Sequence, residues 1–588
     1  MNCPSRTDEP EGDGFNQNPN PLAADLTTRQ DLNGIANTRI LRRTSSEVIF
    51  DETGGPDNLL GVDDPKGKNS ELKGGGAGVG VVAYRARGGK LRFGGGDPGG
   101  SGKEGSHFLK GLLLKISKKL MKFGKFVGPG FMISVAYIDP GNYSTDVAAG
   151  ATYRFRLLFI VLLSNLFAIF LQSLCIKLGS VTGLNLAEAC RAFLPRWLNL
   201  LLYFLAEAAI IATDIAEVIG TAIAINLLIP QIPLVAGCAI SIVDVLLILL
   251  FYNPNGSMKG LRAFEMFVAA LVLGVVVCFI IQLSLIKDTT VGEVFKGYLP
   301  SSAIIQSQGL YQACGILGAT VMPHSLYLGS GIVQPRLLEY DKAVGSTNRH
   351  VESTSTTKEA YYPSLKAIRF CLRYSVAELA ISLFTFALFV NSAILIVSGA
   401  SLSSISSAAD ADLFGIHSLL SSSISPGAGT VFALALLLSG VSAGIVCTIA
   451  GQMVSEGALN WSITPWVRRL ITRSISITPS IIIAGAVGRD GLSAALNASQ
   501  VALSVVLPFV SAPLIYFTCR NKFMTVKANP NADMLGDDEE TVDVTTEGES
   551  DTKMRNGWLV AGLAVIIWLV IAVMNVANLV LLGKGQSG

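Results

Sequence analysis

Apolar and polar positions in this chain are sorted by whole segments rather than by helix face. After a polar stretch covering residues 1–106, apolar runs of about 20 residues recur, separated by short polar intervals. As an α-helix, a run of that length crosses a hydrocarbon core about 30 Å thick. Eleven spans are predicted, at about 126–149, 157–178, 198–228, 233–252, 263–286, 307–333, 374–399, 428–451, 470–488, 493–518 and 558–582. The expected fold class is therefore an all-α integral membrane protein. Residues 107–588 form its membrane domain, and residues 1–106 form a disordered cytosolic tail. The tail is rich in Asp, Asn, Thr and Gly and has too little apolar surface to offset the entropy of ordering. Its glycine runs, Gly74–Gly76 and Gly94–Gly96, sit between no strand and helix signals and are not a phosphate loop.

Composition agrees with the segment pattern. Half of the residues are hydrophobic (50%), only 15% are charged, and the mean hydropathy is +0.50, against about 25% charged residues in soluble proteins. The nine cysteines are scattered, mostly within apolar runs, and include no CxxC pair, so they read as small core residues. The polar N-terminus is no signal peptide, which leaves the first span as the targeting signal. Six lysines (Lys110, Lys115, Lys118, Lys119, Lys122, Lys125) directly precede that span. With the loops after spans two, four, six, eight and ten, this flank holds most of the Lys and Arg of the membrane domain. The positive-inside rule then predicts a cytoplasmic N-terminus.

Two spans are interrupted. The first contains Gly128-Pro-Gly-Phe-Met-Ile-Ser-Val-Ala-Tyr-Ile-Asp-Pro-Gly-Asn142. Pro140 removes a backbone donor and Gly141 loosens the chain, so the helix should break there. Inside hydrocarbon a break is tolerated only where it lines a cavity or is buried in protein, and an acid at that depth, Asp139, points to function. The sixth span contains Gly318-Ala-Thr-Val-Met-Pro-His-Ser-Leu-Tyr-Leu328, again with a proline in mid-segment. Breaks in corresponding positions of two halves indicate an inverted-repeat transporter with its site where the broken helices meet. The breaks offer the Asp139 carboxylate, the Asn142 amide oxygen, freed carbonyls such as that of Ala319, and the Met322 thioether. A methionine in an apolar helix ordinarily fills core space. As a ligand, its soft sulfur would favour first-row transition metals over Mg²⁺ or Ca²⁺.

Asp139-Pro-Gly-Asn142 and Met322-Pro-His324, each in its expected span, resemble the natural-resistance-associated macrophage protein (Nramp) family over roughly residues 121–582, in the fungal type. The resemblance implies a LeuT-like fold of two inverted five-helix repeats, with helices 1 and 6 unwound at the midplane, plus an eleventh helix. It also implies proton-coupled transport of divalent metal ions. Its ligands fall on Asp139, Asn142, Met322 and the Ala319 carbonyl, with Gln500 joining when the site closes. The family pattern continues past Met-Pro-His with Asn and a second His, where this chain has Ser325 and Gly329.

Glu207, Asp214 and Glu217 lie near one face of the third span, as intervals of seven and three require. Acids in a span pair with partners or relay protons. In the family, acids at this spacing and the histidine after Met-Pro resemble a proton route, which gives relay roles to His324, Glu207, Asp214 and Glu217. Arg336 and Arg473 are the candidate counter-charges. Asp244, Glu265, Glu378, Asn391 and Gln452 read as interhelical hydrogen bonders.

The expected function is proton-coupled movement of Mn²⁺ or Fe²⁺, with Co²⁺, Cd²⁺ or Zn²⁺ as further cargo, toward the cytoplasm by alternating access. The expected membrane is the plasma membrane or an endosomal or vacuolar one. Entry of a divalent cation gains roughly 4.6 kcal/mol per 100 mV, so proton coupling follows from the acids and the family, not from necessity. The expected partners are divalent metal ions, protons and the bilayer, with no nucleic acid and no resident cofactor, and the working unit is expected to be a monomer. A LeuT-like amino-acid or Na⁺ carrier fits less well, because its half-helix N-termini would meet a carboxylate. A membrane metal sensor would bind without flux. No Gly-x-x-x-x-Gly-Lys-[Ser/Thr] loop supports an ATP-driven pump, and no HExxH or Ser–His–Asp arrangement supports an enzyme.

Overall fold

The computed structural model describes residues 128–243, 258–287, 289–344, 363–405, 411–460, 465–526 and 551–584. The expected tail, the lysine flank, Asp244 and most of the acidic loop 531–551 lie outside the described residues.

The chain starts with a split helix, α1 (Pro129–Val135) and α2 (Pro140–Tyr153). It continues through α3 (Leu158–Thr182), the short α4 (Leu186–Phe193), α5 (Arg196–Leu228), α6 (Leu234–Ile240) and α7 (Met258–Ser284). A short α8 (Val291–Lys296) leads to a second split helix, α9 (Ser307–Thr320) and α10 (Pro323–Gly331), followed by α11 (Gln334–Ala343). Then come α12 (Leu365–Ser382), continued through a π turn at Leu383–Ala387 into α13 (Leu388–Ser401), the short α14 (Leu413–Ser423), α15 (Pro426–Leu459), α16 (Pro465–Ala486) and α17 (Arg489–Cys519). A two-residue ladder, Thr525–Val526 with Thr552–Lys553, precedes α18 (Trp558–Gly583). Apart from the inserted α11, split helix, long helix, short helix and long helix thus occur in the same order in residues 129–284 and 307–519. This is the five-plus-five order expected of a LeuT-like fold, with α18 outside it.

Among the described residues, eight helices are long and apolar enough to cross a membrane. Three of the eleven expected spans are not among them. The first is divided into two short halves, and only the beginning of the fourth lies among the described residues. The ninth, α16, carries Arg468, Arg469 and Arg473 in its first half. The surface of α18 shows why these helices need lipid: Leu563, Ile566, Leu569, Val573 and Val576 are exposed at helical spacing.

Small residues set the packing, as they must where lipid removes the hydrophobic drive for helix association. The pair α5 and α15, corresponding members of the two repeats, makes the most extensive contact. A side chain at Gly440 on α15 would strike the Thr221 hydroxyl on α5. Gly150 on α2 rests against the backbone of α13 at Leu395 and Gly399, where Ser398 Oγ donates to the Val147 carbonyl at 2.6 Å. Gly179 on α3 leaves no room for a side chain beside the Ser330 carbonyl on α10. Because that obstacle is backbone, Gly179→Leu should destabilise the protein by about 1–3 kcal/mol, read as a lower thermal midpoint in detergent.

Candidate metal transport site

Both breaks follow from one covalent fact. In an α-helix the carbonyl of residue i accepts from the N–H of residue i+4, and proline has none. Pro140 and Pro323 therefore leave the carbonyls of Ala136 and Ala319 without that donor. The residue before each proline is pushed into extended backbone: Asp139 has φ −124° and ψ 164°, and Met322 has φ −80° and ψ 131°. Asp139 and Met322 are thus equivalent by construction, each being the N-cap of the second half of its broken span. Asp139 caps α2 through its carboxylate, which accepts from the N–H groups of Gly141 and Asn142 at 3.2 and 3.1 Å. Met322 makes no cap hydrogen bond, so capping does not account for its side chain.

Side chains satisfy the next two carbonyls of the first break, those of Tyr137 and Ile138. Asn142 Nδ2 and Asn391 Nδ2 each donate to the Tyr137 carbonyl at 3.1 Å, and Ser439 Oγ donates to the Ile138 carbonyl at 2.7 Å. Asn142 Nδ2 also donates to Asp139 Oδ1 at 2.6 Å. The two breaks come together through Thr320, whose hydroxyl donates to Asn142 Oδ1 at 3.5 Å. Helix α17 closes over both: the Gln500 side chain presses on Gly141, and a side chain at Gly318 would meet Ser504 at 2.8 Å. Asp139, Asn142, Ala319, Met322 and Gln500 are all buried, and Gln500 Oε1 has no hydrogen-bond partner. The five expected ligand positions thus lie on two adjoining breaks and the helix packed across them. Carbonyl ends of α1 and α9 and one carboxylate form an environment suited to a cation.

Ser325 and Gly329 share a neighbour. Gln172 on α3 donates through Nε2 to Tyr137 Oη and to Ser325 Oγ, both at 2.9 Å, and those two oxygens are 3.0 Å apart. Ser325 Oγ donates to the Met322 carbonyl at 2.7 Å. Gln172 Oε1 occupies the space that a side chain at Gly329 would enter. The small residues at 325 and 329 therefore admit an amide that ties the first break to the second. Nothing in the local sequence around Gln172 announces this, because its partners are 35 and 153 residues away.

The expected proton-route residues separate into two groups. On α5, Asp214 and Glu217 face Arg473 of α16, with Arg473 Nη1 at 2.5 Å from Asp214 Oδ1 and 3.6 Å from Glu217 Oε2, all three buried. His324 reaches the same helix one residue away, its Nδ1 3.3 Å from Thr213 Oγ1. The Thr213 hydroxyl donates to the Ala209 carbonyl, so it accepts from Nδ1–H, and His324 Nε2 is left as an acceptor without a partner. Glu207 is half-buried farther along α5, and its Oε2 has no hydrogen bond. Arg336 belongs to the other group: it pairs with Glu265 at 2.8 Å, buried, beside Gly128. Glu378 Oε1 accepts there from the N–H groups of Gly128 and Gly130 at 2.6 and 3.1 Å. Glu265 and Glu378 are thus an ion-pair partner and a helix cap at the start of α1, which their isolated positions in apolar runs do not reveal.

Two unwound helices from corresponding halves of a multi-pass helical protein, with a carboxylate and a thioether at the breaks, define a membrane carrier of the inverted-repeat class. The chain is a member of the Nramp family: the family described as natural resistance-associated macrophage protein-like matches residues 130–535. Among relatives, it is 52% identical over 499 residues to the manganese transporter SMF1 of Saccharomyces cerevisiae, covering 79% of this chain and 87% of that one. It is 51% identical over 464 residues to the iron transporter SMF3 of the same organism, covering 78% and 95%. The crystal structure of an Eremococcus coleocola manganese transporter superposes with a TM-score of 0.61 at 31% identity, covering 76% of this chain and 85% of that one.

Two substitutions check these contacts. Arg473→Ala should destabilise the protein by about 3–5 kcal/mol, because it strands buried carboxylates, and adding Asp214→Ala should recover part of the loss in thermal melts. Gln172→Leu should lower stability by about 1–3 kcal/mol, since Tyr137 and Ser325 lose a shared buried donor.

Proposed function

We propose that this protein carries divalent transition-metal ions, Mn²⁺ and Fe²⁺ first and Co²⁺, Cd²⁺ or Zn²⁺ as further cargo, toward the cytoplasm in exchange between outward- and inward-open states, coupled to protons. The observation that carries the reading is the equivalence of Asp139 and Met322. One sequence position, the residue before the helix-breaking proline, holds a carboxylate in one half and a thioether in the other. A carboxylate alone would accept Mg²⁺ or Ca²⁺; the sulfur selects against both, since hard cations bind oxygen. In this reading the ion's ligands are Asp139, Asn142, Met322, the Ala319 carbonyl and Gln500. Gln500, already seated on Gly141, helps to enclose the ion.

Protons leave along the α5 face, from His324 past Thr213 to Asp214, Glu217 and Glu207, with Arg473 holding the pair of acids in place. Arg336, paired with Glu265, acts instead on the docking of α1. The chain has no catalytic role in this reading. It works as a monomer of eleven spans with a cytoplasmic N-terminus, in the plasma membrane or an endosomal or vacuolar membrane. Support comes from the family and from relatives named as manganese and iron transporters.

Uptake of Mn²⁺ and Ca²⁺ into proteoliposomes, with internal pH followed in the same vesicles, tests the reading. Wild type should take up Mn²⁺, acidify the lumen and exclude Ca²⁺. Asp139→Asn should lower Mn²⁺ uptake at least about 100-fold, the scale of a charged ligand's contribution. Met322→Ala should admit Ca²⁺. Unimpaired Mn²⁺ flux in Asp139→Asn, or intact Ca²⁺ exclusion in Met322→Ala, refutes the assignment.

A further inference from the structure

The outer half of the first broken span carries a second acid that none of these roles uses. Asp146 lies seven residues beyond Asp139, two turns of α2 and about 10 Å along its axis. Asp139, Tyr143, Asp146 and Gly150 recur at intervals of four, three and four, so they form one stripe on the helix. Asp146 is fully buried, and neither of its carboxylate oxygens has a hydrogen-bond partner.

That state is singular among the described, fully buried acids of the spans. Asp139 is engaged by the N–H groups of Gly141 and Asn142, Asp214 and Glu217 face Arg473, Glu265 pairs with Arg336, and Glu378 caps α1. Acids retained inside a membrane protein are normally paired for the same reason: a buried carboxylate without a partner is costly. Its neighbours on the stripe offer no compensation. Tyr143 is wedged between Phe279 and Phe432, with ring centroids 5.6 and 5.8 Å away, and Gly150 abuts the α13 backbone. Among the described residues, the charge that acts on it is the Asp139 carboxylate, of the same sign.

A carboxylate placed on the stripe that leads to the ion site, and given no partner by the described residues, is suited to a partner that arrives and leaves. We propose that Asp146 is an outer station for the transported divalent cation, which it receives from the extracellular side and passes to Asp139. Tyr143, between the two acids and clamped by Phe279 and Phe432, separates them in the described conformation. A divalent ion suits such a station because it is drawn by each acid in turn, while the ring between them prevents both from holding it at once. The inference rests on the transport reading and on the cytoplasmic N-terminus, which makes α2 the outer half.

The test is Mn²⁺ uptake by the full-length protein in proteoliposomes, with KM and maximal rate measured for wild type, Asp146→Asn, Asp146→Glu and Asp139→Ala. Asp146→Asn should raise the KM for external Mn²⁺ about tenfold, the scale of one carboxylate acting on a divalent ion, with the maximal rate within about twofold. Asp146→Glu keeps the charge and should stay within about threefold of the wild-type KM. Should the Asn variant fail to fold, Asp146→Ser supplies the same comparison without charge. An unchanged KM in the uncharged variant overturns the outer station, and so does a collapse of rate at unchanged KM or a Glu variant as impaired as Asn. Wild-type transport by Asp139→Ala instead overturns the transport reading itself, which keeps the two failures distinct.

Discussion

The missing N–H of proline, set twice in hydrocarbon, is the constraint from which the rest of this molecule can be understood. Each proline strands a carbonyl four residues earlier and forces the residue before it out of the helix. In lipid, stranded backbone must find partners within the protein. At the first break the carbonyls of Tyr137 and Ile138, next to the stranded one, find them in Asn142, Asn391 and Ser439, residues from three different helices. The break therefore needs the bundle around it, and the bundle is shaped to reach it. Glycines at 141, 220 and 318 allow Gln500, Pro140 and Ser504 to approach backbone that a side chain would hold off.

The same economy governs charge. Asp146 apart, the buried acids of the described spans are placed where a defined partner meets them, among them Arg473 on α16, Arg336 after α10 and the N–H groups at the start of α1. Glu378 illustrates the logic, since one carboxylate oxygen satisfies two N–H groups of a half-helix only seven residues long. Such contacts tie the first half of the broken span to α12 without fusing it to that helix. A half-helix held at its end by side-chain hydrogen bonds can be released by breaking a few contacts, whereas a continuous helix would have to be broken at every turn. Helix breaks thus serve a carrier twice, by exposing ligands and by creating short rigid pieces that can move.

The two small residues Ser325 and Gly329 on α10 serve one neighbour. Ser325 and Gly329 both adjoin Gln172, and the serine hydroxyl links that amide to the carbonyl of the residue that supplies the thioether. Two small residues on α10 are thereby matched by one long polar side chain on α3.

Much of this was legible in the linear sequence, because proline chemistry and apolar segment length act locally. The breaks, Asp139 and Met322 beside them, the approximate spans and the shared face of Asp214 and Glu217 needed no knowledge of neighbours. What the sequence could not supply was pairing across distance. Both arginines were visible, but only the packed helices assign Arg473 to Asp214 and Glu217 and Arg336 to Glu265, more than 70 residues away in each case. Glu265 and Glu378 read as isolated polar residues until the start of α1 is brought against them. Asp146 drew no reading from the sequence, and only the packed structure shows it buried with no hydrogen-bond partner among the described residues. Local covalent geometry fixes where a helix must stop; which partner meets an exposed charge or carbonyl depends on which helices pack together, and that is settled only when the whole bundle closes.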